Sequence, residues 1–415
     1  MYKVALDKVN EAKVNLESVV LETPLTINAT QSRKFSSSIY LKREDLQQVR
    51  SYKIRGAFNK ISSLSQNELQ KGVVCASAGN HAQGVAFSCS KMRINGCIFM
   101  PTPTPKQKIE QVKMFGGKYI EVILTGDTFD DAFNDAKKYG DRHQMSFIHP
   151  FDDEKVIEGQ ATIALEILQQ SEVGIDYLFL PVGGGGVASG MSSVIKVLSP
   201  KTKIIGVEPL GAPSMSHAFE KGYPTQLQYI DKFVDGASVK KVGALNFELC
   251  KQHLDEIATV HEGKICQTIL DMYNKDAIVV EPAGAMTVAV LDQYRNEIVG
   301  KNVVCLLSGS NNDITRTEEI KERALLHAGV KHYFVVRFPQ RAGALRDFID
   351  KVLGPNDDIT HFEYSKKQSR ENAPAVVGIE LGNSSELNAL IKRMKTFNFY
   401  GEYLNDKPDL FQFLV

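Results

Sequence analysis

Pro181-Val182-Gly183-Gly184-Gly185-Gly186-Val187-Ala188-Ser189-Gly190 lies between an apolar run, Tyr177–Pro181, and a helical pattern, Val187–Leu198. A plain turn needs one glycine. Four in a row let the backbone wrap an anion and donate several N–H groups to it without any cation. Charge-assisted hydrogen bonds contribute about 1.5–3 kcal/mol each, so a few of them hold a phosphate. The strand–loop–helix order also makes this a parallel βα unit, with the loop where such sheets bind ligands, at a strand's carboxyl end.

The flanking sequence reads the same way. Strands are expected at Ser38–Leu41, Gly72–Ala76, Cys97–Met100, Tyr119–Leu124, Lys203–Val207 and Val303–Leu307, and helices at Ala57–Leu64, Gln83–Met92, Pro105–Phe115, Thr128–Tyr139 and Val156–Gln169. This alternation predicts an α/β fold of parallel sheets covered on both faces. Near residue 320 the pattern changes. The charged segment Thr317–Arg323 reads as a helix handing over to a second unit: strand His332–Phe338, helix Gly343–Leu353, strands Ile359–Lys367 and Ala375–Leu381, helix Ser384–Lys395 and a last strand at Leu410–Val415. A β-α-β-β-α-β order is the ferredoxin-like split βαβ unit. The domains expected are therefore 1–320, with a smaller subdomain at roughly 45–150 inside it, a connection over 321–330, and 331–415.

Composition narrows the partners. Lys plus Arg and Asp plus Glu are each 49, so 49 − 49 leaves no net charge and no long-range field for nucleic acid or an anionic membrane. No apolar run reaches a membrane span, and the alternating charges of Lys3, Asp7, Lys8, Glu11 and Lys13 suit an amphipathic helix instead of a signal peptide. Cys75, Cys89, Cys97, Cys250, Cys266 and Cys305 are scattered, with no CxxC pair, and read as buried thiols in a reducing compartment. The expectation is a cytoplasmic protein acting on small molecules and assembling with its own kind.

Three further segments carry chemistry. In Ser51-Tyr52-Lys53-Ile54-Arg55-Gly56-Ala57, apolar neighbours would bury Lys53 at a helix start; a desolvated lysine loses its proton and becomes a nucleophile and base. A lone lysine is more often solvated, so the context carries the argument. Cys75-Ala76-Ser77-Ala78-Gly79-Asn80-His81-Ala82 ends a strand and opens a helix, where free N–H groups and the Ser77 hydroxyl suit a carboxylate. Helix capping by Ser77 or Asn80 is the plain alternative, and His81 by itself reads as a hydrogen-bonded structural residue. Leu306-Leu307-Ser308-Gly309-Ser310-Asn311 follows a strand and is either a polar loop or the floor of a site. A rival reading exists: Gly183, Gly185 and Ala188 fit G-x-G-x-x-A, and Glu208 lies near the position of a ribose-binding acid, as in an NAD dehydrogenase. That reading leaves the Lys53 and Asn80 segments unexplained.

Together these segments resemble the tryptophan-synthase-β-like (fold type II) pyridoxal-phosphate enzymes, within them most closely the threonine dehydratases. The resemblance extends to Glu22-Thr23-Pro24-Leu25, Leu41-Lys42-Arg43-Glu44-Asp45, Gly159-Gln160-Ala161-Thr162, Gly206-Val207-Glu208-Pro209 and Val280-Glu281-Pro282-Ala283-Gly284-Ala285. It implies pyridoxal 5'-phosphate as cofactor, held by Lys53 as a Schiff base, with Lys53 also the general base. It implies Asn80 at the ring oxygen, Gly183, Gly184, Gly185, Gly186 and Val187 as phosphate cup, and Ser308 at the ring nitrogen. Ser77, Ala78, Gly79, Asn80 and His81 would grip the substrate carboxylate, and Gly236 would line the site. The reaction implied is α,β-elimination of water from L-threonine to an enamine that hydrolyses to 2-oxobutanoate and ammonia, with L-serine a secondary substrate or, alternatively, the preferred one.

The sequence departs from its relatives in places. Ser310 stands where they carry glycine. Ala78 stands where serine racemases carry a serine acid/base, which leaves Lys53 alone at Cα and favours elimination. Ser214 replaces an acidic ligand of the racemases' metal triad, of which Glu208 and Ala212 match, so no divalent metal is expected. The C-terminal unit resembles the ACT-like domain of biosynthetic threonine dehydratases, with Arg341-Ala342-Gly343-Ala344-Leu345 in place of an R-P-G-A-L turn. This implies Arg341, Gly343 and Leu345 as regulatory residues, feedback by isoleucine with valine opposing it, and a homotetramer.

Overall fold

In the computed structural model the described residues are 2–364 and 372–407. They form two compact units, Met1–Asp313 and Ile314–Val415. The first unit holds ten strands: β1 Leu25–Ile27, β2 Ser38–Arg43, β3 Val73–Ala76, β4 Gly96–Met100, β5 Ile120–Leu124, β6 Ser146–Phe147, β7 Tyr177–Pro181, β8 Lys203–Pro209, β9 Glu256–Val260 and β10 Asn302–Leu307. They make two sheets. The smaller, in the order β5-β4-β3-β6, is wholly parallel; the larger, β1-β2-β10-β7-β8-β9, is parallel except for the antiparallel edge strand β1.

Helices cover both sheets, which explains why β3, β4 and most of β7 and β10 are runs of buried apolar residues and show no alternation. Some helices begin where the sequence supplies a side-chain cap. Thr128 and Asp131 close a capping box ahead of Phe129–His143, and Asp153 accepts N–H bonds from Lys155 and Val156 at the head of Glu154–Gln170. The N-terminal helix Leu6–Leu16 buries Val9, Ala12 and Leu16, spaced as one face requires.

The strands and helices expected between residues 38 and 320 are all present, with ends moved by a few residues. Edge strands β1, β6 and β9 were not expected: they are short and partly exposed, so they lack the apolar run that marks a covered strand. All six cysteines are buried free thiols. Among the described residues, no helix is long and apolar enough to cross a membrane.

The second unit contains β11 Lys331–Pro339, β12 Asp358–Tyr364, β13 Asn372–Glu380 and β14 Tyr400–Tyr403 in one antiparallel sheet, ordered β12-β13-β11-β14. Helices Ala344–Val352 and Leu387–Thr396 complete the β-α-β-β-α-β order. Its core joins Phe334, Phe338, Phe348, Val377 and Phe399, with ring centroids of Phe338 and Phe348 5.3 Å apart. The division falls at Asp313, ahead of the expected boundary at 320, because helix Thr317–His327 packs on β11: Glu322 accepts the Tyr333 hydroxyl at 2.7 Å. The last described strand is Tyr400–Tyr403; the Leu410–Val415 segment lies outside the described residues. Gly343, with φ +80°, precedes the Ala344 helix; Arg341 pairs with Asp347 at 2.5 Å, and Leu345 is exposed.

Candidate active site

A cavity of about 990 Å³ opens between the two sheets of the first unit. Part of its wall comes from the carboxyl ends of three strands. The glycine loop follows β7, Ser308 follows β10, and Ser77 to His81 follow β3. β7 and β10 are hydrogen-bonded neighbours although far apart in sequence, so the glycine loop and Ser308 are brought together by topology.

Lys53 is the first residue of helix Lys53–Ser62 and faces this cavity. Its Nζ donates to the Pro150 carbonyl at 2.8 Å. Burial pulls its pKa down to about 8, the Glu281 charge opposing that shift only in part. The segment before it is stitched to the Ser308 loop: Tyr52 N donates to the Ser308 carbonyl at 3.2 Å, Ser310 N to the Arg50 carbonyl at 2.9 Å, and Ser51 forms a bridge with Gly309. Ser310, the departure noted in the sequence, donates its hydroxyl to the Asp45 carbonyl at 3.0 Å and ties the loop down.

The glycine loop is glycine for steric reasons that the structure makes plain. A Cβ on Gly184 would sit 2.3 Å from the Phe151 ring, and one on Gly183 would sit 2.9 Å from the Ala237 backbone. Gly185 takes φ +94° and caps helix Gly186–Leu198, whose first N–H groups, including that of Val187, are left free to bind an anion. The Asn246 amide donates to the Gly184 carbonyl at 2.9 Å and to that of Phe151 at 3.0 Å, holding the loop's shape.

Ser77 accepts the Gly79 N–H at 3.2 Å, so its own hydroxyl proton is free for a ligand. Ala78 and Gly79 line the cavity, Gly79 beside open space. His81 is buried with Nε2 2.9 Å from the Ile148 carbonyl, and burial pushes its pKa down to about 3, so it is a neutral, structurally engaged ring. Asn80 donates to Glu281 at 2.7 Å and accepts from Asn311 at 2.7 Å. Gly236 packs beside Ala283 on the same wall.

Glu208, the residue on which the dinucleotide reading leaned, is spent elsewhere. Its carboxylate accepts N–H bonds from Met215 at 2.6 Å and Ser216 at 2.8 Å, and the Ser216 hydroxyl at 2.7 Å. It caps helix Ser214–Lys221 and has no acceptor turned to a ribose. Ser214 donates its hydroxyl to the Val239 carbonyl.

The sequence reading gave no role to a buried charge cluster behind Lys53. Arg55 bonds Glu44 through Nη2 at 2.8 Å and Glu166 through Nη1 at 2.5 Å, while Lys42 reaches Glu166 at 2.6 Å. Lys42, Glu44 and Arg55 are fully buried. The signal was available in Leu41-Lys42-Arg43-Glu44-Asp45, where ionisable residues extend an apolar strand, but nothing local says which of them point inward.

A model of the pyridoxal-phosphate-dependent enzymes matches residues 16–309. The chain belongs to that family. It therefore uses pyridoxal phosphate, and the cavity fits it: an anion cup made of N–H groups, a desolvated lysine, and two buried polar atoms on the wall, Ser238 Oγ and Asn311 Oδ1, that have no protein partner among the described residues. The model matching residues 322–414 describes a C-terminal regulatory domain of threonine dehydratase. Over their full lengths, the chain is 54% identical to the L-threonine dehydratase biosynthetic IlvA of Halalkalibacterium halodurans. It is 53% identical to that of Bacillus subtilis over 98% of this chain and 96% of the relative. Among solved structures, the processed threonine deaminase isoform 2 of Solanum lycopersicum superposes with a TM-score of 0.72 at 38% identity, covering 78% of this chain and 95% of the other.

Proposed function

We infer that this pyridoxal-phosphate enzyme is a threonine ammonia-lyase that releases 2-oxobutanoate and ammonia, and that Lys53 carries the proton chemistry at Cα. The observation that bears most weight is a lysine amine held at a cavity wall with its pKa drawn to about 8, opposite a phosphate cup built only of backbone. Bound pyridoxal phosphate supplies the electron sink that makes an amino acid's Cα proton removable.

The chain supplies the rest. Gly183 to Val187 would hold the phosphate by N–H donation, Asn80 would donate to the ring oxygen, and Ser308 would hydrogen-bond the ring nitrogen without an opposing negative charge. Ser77, Ala78, Gly79, Asn80 and His81 form the carboxylate loop, with the Ser77 hydroxyl and backbone N–H groups as donors. Lys53 Nζ would remove the Cα proton, a contribution of about 10²–10⁴-fold for a positioned base. Ala78 offers no acid or base, so no proton is returned from its side, and the β-hydroxyl would leave as water with a proton given by Lys53, which holds the one taken from Cα.

The second unit is assigned feedback control by isoleucine, with valine opposing it, through Arg341, Gly343 and Leu345; the enzyme works as a cytoplasmic homotetramer. A coupling of about 1–3 kcal/mol between effector and substrate suffices for such control. One assay tests both units: 2-oxobutanoate release from threonine, repeated with serine and with isoleucine. Release from threonine, faster than turnover of serine and suppressed by isoleucine, is expected. A wide preference for serine overturns the substrate assignment, and indifference to isoleucine overturns the regulatory one.

A further inference from the structure

Glu281 is a buried carboxyl group on the cavity wall, to which no direct contact with substrate or cofactor is assigned. It opens helix Pro282–Ala289, and its own N–H donates to the Gly309 carbonyl at 3.1 Å. Oε1 accepts Asn80 Nδ2 at 2.7 Å and Oε2 accepts the Asn311 N–H at 3.2 Å. The Asn311 side chain closes the set, donating to Asn80 Oδ1 at 2.7 Å and to the Val49 carbonyl at 2.8 Å. Gly309 makes room for this carboxylate, since a Cβ there would lie 2.5 Å from Oε1.

The two ends of an asparagine amide have almost the same shape, so its neighbours decide which end faces a ligand. An ionised carboxylate can only accept, and therefore takes an N–H of Asn80. Asn311 Nδ2, a donor, takes the Asn80 carbonyl oxygen. With both ends assigned, Asn80 keeps a second N–H for the cavity and has its acceptor turned away.

We propose that Glu281 is a positioning residue for the cofactor's ring oxygen, locking the Asn80 amide so that it presents an N–H and not its carbonyl. This rests on the reading that Lys53 and Asn80 hold pyridoxal phosphate. Burial pushes the Glu281 carboxyl up to about 7; Asp235 adds to the shift, while Asn80, Lys108 and the Asn311 N–H oppose it. Lys53, from its own helix, is the other cation facing the group. A protonated Glu281 can donate as well as accept, so it fits either end of the amide and leaves Asn311 alone to orient it.

The test uses holoenzyme: wild type, Glu281→Gln, Glu281→Ala, Asn80→Ala and the double alanine variant. Visible absorption of the bound cofactor is recorded from about pH 6 to 9, alongside kcat and KM for threonine. The wild-type band should show an inflection near 7 that Glu281→Gln loses. Glu281→Ala should take on the band of Asn80→Ala, with kcat about tenfold lower in each and the double variant no worse than either single one, as expected of residues acting as a unit. A wild-type band and inflection retained in Glu281→Gln overturns the proposal, even if the alanine variant does not fold. So do losses that multiply in the double variant. A wild type in which borohydride fixes no cofactor on Lys53 fails the underlying reading, and the proposal with it; the other outcomes bear on Glu281 alone.

Discussion

Lys53 and Arg55 stand two residues apart on the same helix and meet opposite electrostatic fates. Arg55 points behind the cavity, where burial works against its charge but Glu44 and Glu166 bond it directly and hold its pKa above the ordinary value. Lys53 points into the cavity, where its short contact is to a neutral carbonyl and burial pulls its pKa down. One cation is kept charged and fixed; the other is brought to a pKa of about 8, where it gives up its proton readily. A desolvated cation holds its proton tightly where carboxylates bond it and more loosely where none does, and the helix shows both outcomes: the paired face anchors it and the unpaired face carries the amine proposed to react.

Removing each cation in turn should produce different kinds of damage. Lys53→Ala should lower 2-oxobutanoate formation by at least about 10²–10⁴-fold while the protein still folds; a variant with near-normal turnover would break the comparison at its reactive end. Arg55→Met leaves Glu44 and Glu166 buried with one partner fewer, which should cost about 3–5 kcal/mol in urea unfolding. A cost under about 1 kcal/mol would reduce the cluster to the standing of a surface pair.

The pH dependence sharpens the same contrast. In the cofactor-free chain the Lys53 pKa of about 8 lies below that of an unfolded lysine, so between those values the unfolded state binds the extra proton. The contribution of this group to stability therefore rises with pH through that window. The melting temperature of cofactor-free wild type, less that of Lys53→Met, should climb from about pH 8 to 10; a flat difference would mean that Lys53 is not desolvated. The smallest effect is expected at the loop that backs Lys53. Ser310→Gly removes one hydrogen bond to Asp45 and should cost about 1 kcal/mol by the same urea measurement.

Much of this was legible in the sequence because it depends on local geometry. Pro181 to Gly190 announces a strand, an anion loop and a helix in consecutive residues, and the apolar runs of β3, β4, β7 and β10 follow from being covered on both sides. The first five elements of the second unit's split βαβ order were equally open to view, while its last described strand, Tyr400–Tyr403, was not expected. What stayed hidden depends on pairing across the chain. Glu44 and Glu166 meet at Arg55 from elements more than a hundred residues apart, and only the fold shows that their charges cancel inside the protein. Glu281 was visible in an apolar motif, yet its tie to Asn80, 201 positions away, exists only after the two sheets come together. Glu208 misled for the same reason: its spacing suggested a ribose contact, whereas the fold places two backbone N–H groups and a hydroxyl on it.

The most direct test of the central claim is borohydride reduction of the freshly purified holoenzyme, followed by peptide mapping. Cofactor fixed on the peptide that contains Lys53, and absent from Lys53→Ala, is the predicted result. Cofactor on another lysine, such as the charge-paired Lys42 or Lys108, or on none, would contradict it.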